Sequence, residues 1–208
     1  MILNGIDTGA FTPDVAQRER LRAWWSVAND ETLIGVGGRL HPMKDHRTFL
    51  RAAALLSRTH NRVRFACIGT GRSEYRRELL ELSEQLGLRE QVIWQPARTD
   101  MPSVYNALDI LTLSSYGEGF PNVVAEAMAC GVPCVVTDVG DSAIIVGDTG
   151  VVVPPRDPDA LAEGWKRMLA RMASEGNHLG DKVRSRIVNE FNQDMLAKRT
   201  SETLENVL

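Results

Sequence analysis

Short runs of apolar and β-branched residues alternate with longer helical patterns from about residue 32 to the end of the chain. Six of these runs predict strands, at residues 32–37, 63–69, 91–95, 109–114, 133–138 and 150–153. Runs such as Ile110 to Leu113 lack a polar face, which is typical of parallel strands covered by helices on both sides. The alternation predicts an α/β fold, a Rossmann-like, doubly wound, six-stranded parallel sheet.

Helical patterns fill the intervals between these strands. They predict helices at residues 45–58, 73–86, 100–107, 121–130 and 142–146, and C-terminal helices at 157–173, 180–191 and 193–207 that cover one side of the sheet. Turn signals at Asn4-Gly5 and Thr12-Pro13 precede an arginine-rich helical patch. We interpret residues 1–14 as a linker segment and residues 15–208 as one domain.

Composition and net charge limit the size of the domain, its partners and its location. The 208 residues, 43% of them hydrophobic, fit one domain with an ordinary packed core. A formal net charge of −3 provides no attraction to nucleic acid, so no nucleic-acid partner is expected. Cys67, Cys130 and Cys134 form an odd set within apolar runs, which favours a reducing, cytoplasmic location over a disulfide framework. No apolar run approaches the ~18 residues of a membrane-spanning helix.

Chemically distinctive loops follow three of the predicted strands. Ligands of an open parallel sheet bind beyond the carboxyl ends of its strands. After the first strand, Gly37 and Gly38 permit close backbone approach, and the cations Arg39 and Lys44 follow. An arginine fork beside a compact lysine charge suits a diphosphate, although both cations could simply face solvent.

The loop after the second strand contains Gly69-Thr70-Gly71. These glycines either form a tight turn against a ligand or end the strand so that the chain can enter a helix. Neither this loop nor the first one has the third glycine of a dinucleotide-binding fingerprint. A nicotinamide-dependent dehydrogenase is therefore disfavoured.

The loop after the fourth strand carries two carboxylates, Glu118 and Glu126, on either side of a predicted helix start. Pro121 suits the first helical position, and such a helix start presents free backbone N–H groups to anions and oxygen-rich ligands. Alternatively, the Glu118 carboxylate could only interact favourably with the positive end of the helix dipole, and Glu126 could form an ordinary salt bridge. With N–H donors beside carboxylate acceptors, the turn could hold a sugar or ribose next to a phosphate.

No metal site is predicted. Asp157-Pro158-Asp159 matches a metal-binding D-x-D pattern, but proline in the first turn makes helix capping the better interpretation. The four histidines show no pairing at helical metal spacing, and His41 is at most a loop residue near a phosphate.

Five motifs, taken in order, resemble the retaining GT-B glycosyltransferases of family 4. They are Asn4-Gly5-Ile6-Asp7 with Phe11-Thr12-Pro13, Gly37-Gly38-Arg39 with Lys44-Asp45, Ile68-Gly69-Thr70-Gly71, Ala107-Leu108-Asp109, and Glu118-Gly119-Phe120-Pro121-Asn122 running through Glu126 to Gly131-Val132-Pro133. The resemblance covers nearly the whole chain. It implies a domain that binds a nucleotide-sugar, without a metal or other cofactor.

The resemblance also implies roles for individual residues. Arg39 and Lys44 would hold the diphosphate and stabilise the leaving nucleotide, Glu118 would position the donor sugar, and Glu126 would take the ribose hydroxyls. The loop at residues 95–98 would lie by the nucleobase. The remaining donor-binding residues would be Gly38, Gly69, Pro96, Gly119, Phe120, Pro121, Asn122 and Val123, with backbone amides around Phe120 and Asn122 contacting the sugar.

The chain departs from the family in two places. Family members carry an N-terminal acceptor domain before the Asn4 to Asp7 segment, whereas three residues precede it here. The expectation is an isolated donor domain whose acceptor domain is absent, and any peripheral membrane association would come through that absent domain. In addition, Asp141 follows Gly140 where the family often has glutamate, so no ligand contact is assigned to this loop.

The leading hypothesis is a glycosyltransferase donor domain. It would bind a UDP- or GDP-linked sugar for hexosyl transfer to a hydroxyl acceptor with retention of configuration, and the isolated domain would transfer slowly or not at all. Two alternatives stay open: a nucleotide-binding module without catalysis, and a GT-B-like nucleotide-sugar epimerase, which would need acid–base side chains flanking the sugar.

Overall fold

The computed structural model describes residues 4–205, and within them the side chains of 198, 199 and 202–205 are left out. Six strands form one sheet: β1 (Thr32–Gly37), β2 (Val63–Ile68), β3 (Val92–Gln95), β4 (Ile110–Leu113), β5 (Cys134–Thr137) and β6 (Val151–Val153). Their order is β3-β2-β1-β4-β5-β6, and all neighbouring pairs are parallel. The predicted doubly wound parallel sheet is confirmed.

The helices follow the predicted pattern. They are α1 (Val15–Trp24), α2 (His46–Ser57), α3 (Ser73–Gln85), α4 (Met101–Ala107), α5 (Asn122–Ala129), α6 (Ser142–Val146), α7 (Pro158–Glu175), α8 (Asn177–Glu190) and α9 (Gln193–Glu205). Short 3-10 turns occupy Pro42–Lys44 and Gly147–Thr149. The predicted residues 206 and 207 of the last helix lie outside the described residues. No helix in the described part is long and apolar enough to cross a bilayer.

Predicted helix starts at 45, 100 and 157 are one residue early, each at an N-cap, and those at Pro121 and Gly180 are also wrong. Pro121 was expected at the first helical position, but it is the N-cap of α5, with ψ at 90°, and Asn122 begins the helix. The predicted start at Gly180 is also late, because α8 begins at Asn177, directly after Gly176 with a φ of +56°. Gly176 is the true break between α7 and α8, and Gly180 lies inside the helix.

The core joins α2 and α7 to the same face of the sheet. Phe49 of α2, Phe65 of β2 and Trp165 of α7 are fully buried, with ring centroids 5.4 to 6.0 Å apart. The indole N–H of Trp165 donates to Thr112 Oγ1 at 2.9 Å, so its one polar atom is satisfied inside the core. This packing keeps the sheet rigid beneath the loops at its carboxyl edge.

An ion cluster attaches α1 to the sheet. Arg22 is 1% exposed, and its guanidinium donates to Asp109 Oδ2 at 3.0 Å. Arg18 donates to Asp109 Oδ1 at 2.6 Å, and the backbone N–H of Leu33 donates to Oδ2 at 2.7 Å. Asp109 is therefore a structural residue, and the arginine-rich patch seen in the sequence is partly internal.

The described part of the N-terminal segment packs on the domain. Ile6 N–H donates to the Phe191 carbonyl at 2.7 Å, and the Asn106 side chain bonds both the Thr12 carbonyl, at 3.0 Å, and the Asp14 N–H, at 2.8 Å. Residues 1–3 of the predicted linker lie outside the described residues. That residues 1–14 form an interdomain linker stays a prediction.

Candidate functional site

The predicted loops meet at the carboxyl edge of the sheet, where β1 and β4 are neighbours. β1 leads to β2 on one side while β4 leads to β5 on the other, so the chain directions diverge there and leave a crevice. A cavity of about 310 Å³ occupies this position. Its lining comprises Gly38, Arg39, Ile68, Gly69, Thr70, Ala97, Arg98, Met101, Tyr105, Val123 and Glu126.

Two larger cavities, of about 470 and 660 Å³, lie away from this edge. The first is lined by Asp109 and Pro133, which precede β4 and β5, and the second lies between α7 and α8. Neither receives a residue from the loops that follow β1 or β2. Position relative to the strand ends therefore favours the 310 Å³ cavity as the functional site.

Two glycines allow the loops after β1 and β2 to pass in contact. Gly69 has a φ of +155°, and a Cβ there would lie 1.8 Å from the carbonyl oxygen of Gly38. A Cβ on Gly71 would lie 2.1 Å from the Leu40 carbonyl oxygen. Gly38 and Gly69 line the cavity, whereas Gly71 serves the approach of the two loops. The close approach of the two loops explains both glycines, and a contact between Gly69 and a ligand stays a prediction.

Lys44 and Glu118 form an ion pair beside the cavity. The Lys44 ammonium donates to Glu118 Oε1 at 2.5 Å, and the Ser115 hydroxyl donates to the same oxygen at 2.6 Å. The two side chains are 23% and 10% exposed. A Cβ on Gly38 would contact the Lys44 stem at 3.8 Å, which places Lys44 next to the cavity although it does not line it. Glu118 thus lies just before α5, as expected, and is also held by Lys44 from the neighbouring loop.

Backbone contacts join the loops after β1 and β4. The Tyr116 N–H donates to the Met43 carbonyl at 3.0 Å, and the Ser114 hydroxyl donates to the Lys44 carbonyl at 2.8 Å. In the 3-10 turn, the ring of His41 accepts from the Met43 N–H at 3.2 Å. His41 is an N-cap in this turn, and the Lys44–Glu118 pair is fixed by the backbone on both sides.

Glu126 is held by a buried tyrosine. The hydroxyl of Tyr105, a fully buried residue of α4, donates to Glu126 Oε2 at 2.6 Å. Burial, and then the carboxylate of Glu126, raises the pKa of Tyr105 well above its usual value, so the phenol remains a donor. Glu126 has no Lys or Arg within 4.0 Å in the described region. The alternative that Glu126 forms an ordinary salt bridge is therefore wrong within the described residues.

The rest of the Glu118 turn lies outside the cavity lining. The Gly119 carbonyl accepts from the Asp141 N–H at 2.9 Å, and Asn122 Oδ1 accepts from the Asn4 side chain at 3.1 Å. The Phe120 ring lies 6.1 Å from that of Phe191. Pro96 is exposed, and its neighbours Ala97 and Arg98 line the cavity in its place. Five residues predicted to bind the donor do line it: Gly38, Arg39, Gly69, Val123 and Glu126.

Thr70, Arg98 and Tyr105 are the polar lining residues of this cavity that were not among the predicted site residues. The Arg98 guanidinium lies 4.9 Å from the centroid of the Trp24 ring and donates to both oxygens of Asp100, at 2.8 and 2.7 Å. This hydrogen bond lowers the pKa of Asp100. Arg98 was expected only as part of the loop at 95–98. The role of Tyr105 could not be predicted from the sequence, because a single tyrosine on a short helix cannot be distinguished there from an ordinary core residue.

The acidic pair near α7 is confirmed as a capping device. Asp157 is the N-cap and accepts from the Ala160 N–H at 2.9 Å, with Pro158 as the first helical residue. Within residues 4–205, no three His, Cys, Asp or Glu side chains are grouped so that they could hold a metal ion. The three cysteines are free and buried, and burial raises the pKa of each thiol.

Comparison with known proteins gives three consistent matches. The family described as "Glycosyl transferases group 1" matches residues 31–171. D-inositol 3-phosphate glycosyltransferase of Mycolicibacterium smegmatis is 32% identical over 171 residues, which make up 80% of this chain and 39% of that protein. The protein of the same name from Saccharomonospora viridis is 32% identical over 98% of this chain and 48% of its own length. The chain thus spans less than half of these relatives.

Solved structures share the fold. HepE (Alr3699) of Anabaena in complex with UDP-glucose is 25% identical, with a TM-score of 0.88 over 99% of this chain and 57% of that chain. The C-terminal domain of a glycosyl transferase group 1 family protein (LpcC) from Francisella tularensis has a TM-score of 0.79 at 24% identity, and the match covers 91% of this chain and all of that domain. The chain belongs to the glycosyl transferases group 1 family, and its fold is that of a GT-B C-terminal domain.

Proposed function

We propose that residues 15–208 form the donor domain of a retaining glycosyltransferase, which binds a UDP- or GDP-linked sugar for hexosyl transfer to a hydroxyl acceptor. One observation carries the proposal: the 310 Å³ cavity at the β1/β4 crevice is lined by Gly38, Arg39, Gly69 and Glu126 together. A chain of the same fold, HepE, is described in complex with UDP-glucose. The volume is at the small end of ligand cavities and suits the nucleotide portion of the donor.

Arg39 and Lys44 would bind the diphosphate. Arg39 is exposed and forms no ion pair within the described residues, so its fork is free for phosphate oxygens. Lys44 is already paired with Glu118, and a phosphate oxygen would become a further acceptor for its ammonium. By analogy with oxyanion sites, each cation would stabilise charge on the leaving nucleotide by about 3 kcal/mol.

Glu126 would bind the ribose hydroxyls. Tyr105 occupies Oε2, and Oε1 has no hydrogen-bond partner in the part of the chain that the structure describes. A carboxylate fixed through one oxygen can accept from a ligand hydroxyl through the other without losing its orientation. The Tyr105 contact thus orients the residue that distinguishes a ribose from a plain phosphate.

Glu118 and the backbone amides of the turn at residues 119–122 would contact the transferred sugar. The titratable residues on the cavity wall are Arg39, Arg98, Tyr105 and Glu126, and this proposal assigns Glu126, the one carboxylate among them, to the ribose and not to proton transfer. We therefore favour a front-face reaction with retention, in which the donor phosphate helps to take the acceptor proton, without a metal ion.

The acceptor would be bound by an N-terminal domain joined through residues 1–14. The relatives are more than twice as long as their matched regions, which supports a second domain in the complete enzyme. We expect any association with a membrane surface to involve that domain, and we expect the three free thiols to persist in a reducing cytoplasm.

Titration calorimetry with UDP, GDP and their sugar conjugates tests this assignment. We expect weak binding that survives EDTA, decreases in Glu126→Ala and nearly disappears in Arg39→Ala combined with Lys44→Ala. Arg167→Ala, an exposed arginine of α7, is the matched control and should bind like the parent chain. Undiminished binding in the double variant, or an absolute requirement for a divalent ion, would overturn the site.

Transfer requires the acceptor domain. We expect the isolated chain to bind donor without transferring sugar, and expect activity when the chain is fused to the N-terminal domain of its own gene. Retention would be read from the anomeric configuration of the product by NMR. Donor binding without transfer in the fused protein would instead support a non-catalytic nucleotide-binding module.

A further inference from the structure

A second cavity, of about 290 Å³, adjoins the Pro42–Lys44 turn and shares no lining residue with the donor cavity. It lies between the start of α2, the helix α3 and the loops after β4 and β6. Its wall includes Asp45, Arg47, Arg51, Tyr75, Tyr116 and Arg156. Nothing in the proposed donor binding uses these residues.

The charge of this wall is positive. Three arginines face one carboxylate, and the Asp45 carboxylate is engaged with Thr48, whose N–H and hydroxyl donate to its two oxygens at 3.2 and 2.7 Å. Arg47 and Arg51 are one helical turn apart, so they share a face of α2. Arg47 is paired with Glu78, while Arg51 and Arg156 have no acidic partner in the described part of the chain. Such a wall favours an anionic ligand.

Arg156 occupies an unusual backbone conformation. Its φ is +60°, in the left-handed region that favours glycine, and its guanidinium lies 4.1 Å from the centroid of the Tyr116 ring. Strained residues of this kind persist where the surroundings fix them, and they are concentrated at ligand sites. Here the strain and the stacking hold an unpaired cation at the cavity wall.

Tyr75 adds an unused hydrogen-bond donor. The residue is 7% exposed, lines the cavity, and its hydroxyl has no hydrogen-bond partner among the described atoms. Burial raises its pKa to about 12, so the hydroxyl keeps its proton at neutral pH. Because buried polar groups are nearly always satisfied, an orphaned hydroxyl beside unpaired arginines indicates an acceptor that comes from a ligand.

We propose that this arginine cavity binds a phosphate group, as a second anion site separate from the donor cavity. Arg51 and Arg156 would donate through their guanidinium forks and Tyr75 through its hydroxyl, since planar forks match phosphate oxygens. A phosphorylated small molecule and an anionic lipid headgroup present the same group. The inference does not depend on the proposed glycosyltransferase function.

The test measures binding of inorganic phosphate by calorimetry to the 208-residue chain and its variants, with saturating UDP present so that phosphate does not bind at Arg39 and Lys44. In Arg51→Ala combined with Arg156→Gly we expect at least about a tenfold loss of phosphate affinity, with UDP affinity unchanged. Arg39→Ala should lower the affinity for UDP and leave the affinity of the arginine cavity for phosphate unchanged. Tyr75→Phe should weaken phosphate binding severalfold. The thermal midpoints of Arg156→Gly and Tyr75→Phe should not decrease, since glycine suits the backbone there and phenylalanine removes an orphaned hydroxyl.

Vesicles distinguish the two sources of phosphate. Binding to phosphatidylglycerol vesicles, but not to phosphatidylcholine vesicles, that is lost in the Arg51→Ala/Arg156→Gly variant would identify a lipid headgroup. Pocket-dependent phosphate binding without vesicle binding would identify a soluble ligand. Equal binding of both probes by the parent chain and the double variant would overturn the proposal. A failure of UDP binding alone would count against the donor site and leave this result intact.

Discussion

His46 should make the stability of the domain depend on pH. It is the first residue of α2, it is fully buried, and neither ring nitrogen has a hydrogen-bond partner among the described residues. Burial, and secondly the charge of Lys44, lowers the pKa of His46 from 6.5 to about 4. The folded chain therefore keeps this ring neutral where the unfolded chain would protonate it.

The sign and size of the effect follow from this difference. Because the unfolded state binds the proton more tightly, stability is fully present above pH 6.5 and is lost as the pH falls towards about 4. At 1.36 kcal/mol per pKa unit, the whole change corresponds to about 3 kcal/mol, of which about 2 kcal/mol is lost between pH 8 and pH 5. That loss would lower the thermal midpoint by about 4–8 °C in a domain of this size.

Urea unfolding at pH 8 and pH 5 measures the effect, and His46→Leu isolates it from other titrating groups. The variant keeps a similar volume in the buried site and should lose about 2 kcal/mol less than the parent between the two pH values. His178→Ala, at an exposed position of α8, is the control and should follow the parent. If His46→Leu keeps the parent's pH dependence, the buried neutral histidine is not its cause.

Other perturbations test the contacts that support the site. Gly140→Ala places a Cβ 2.2 Å from the Gly119 carbonyl oxygen at a φ of +51°, so the free energy of unfolding, measured with denaturant, should fall by at least about 2 kcal/mol. Gly119→Ala is the control and should be nearly neutral, because a Cβ there has nothing within 4 Å. Similar losses in the two variants would contradict this explanation. Asp109→Ala leaves two arginines unpaired and should lower the free energy of unfolding by about 3–5 kcal/mol in the same assay. Asp109→Asn should lower it less, because the amide oxygen is still an acceptor. Equal losses would argue against the ion cluster. Tyr105→Phe frees the Glu126 carboxylate and should weaken UDP binding about three- to tenfold in calorimetry; unchanged affinity would show that the tyrosine does not orient that carboxylate.

The strands could be predicted from sequence because each is a short, largely apolar run, and the central strands β1, β4 and β5 are buried on both faces. Every predicted strand overlaps the observed one, and the errors are confined to one or two residues at the ends. The helix starts were harder, because glycine and proline give signals that do not fix their position in the cap. Gly180 was interpreted as a break, yet of Gly176 and Gly180 it is Gly176 that has the positive φ typical of a helix end.

The lining of the candidate cavity was predictable where it depends on loop position and less so where it depends on packing. Arg39, Gly69 and Glu126 follow from the rule that strand ends meet at one edge. Tyr105 reaches Glu126 only because α4 packs against α5, which is a tertiary contact with no local signature. Asp109 was noted as part of a motif, and its structural role became evident only from the two arginines that it binds.

The two proposed anion sites differ in how their charges are arranged. Around the donor cavity, Arg39 and Lys44 are balanced by Glu118 and Glu126, so the local charge is close to neutral but separated along the crevice. A diphosphate can meet the cations while neutral hydroxyls meet the carboxylates, which suits a ligand with both parts. In the arginine cavity the single carboxylate, that of Asp45, already accepts from Thr48 through both oxygens. We therefore expect the donor cavity to select by the order of charges along a ligand, and the arginine cavity to select mainly by negative charge.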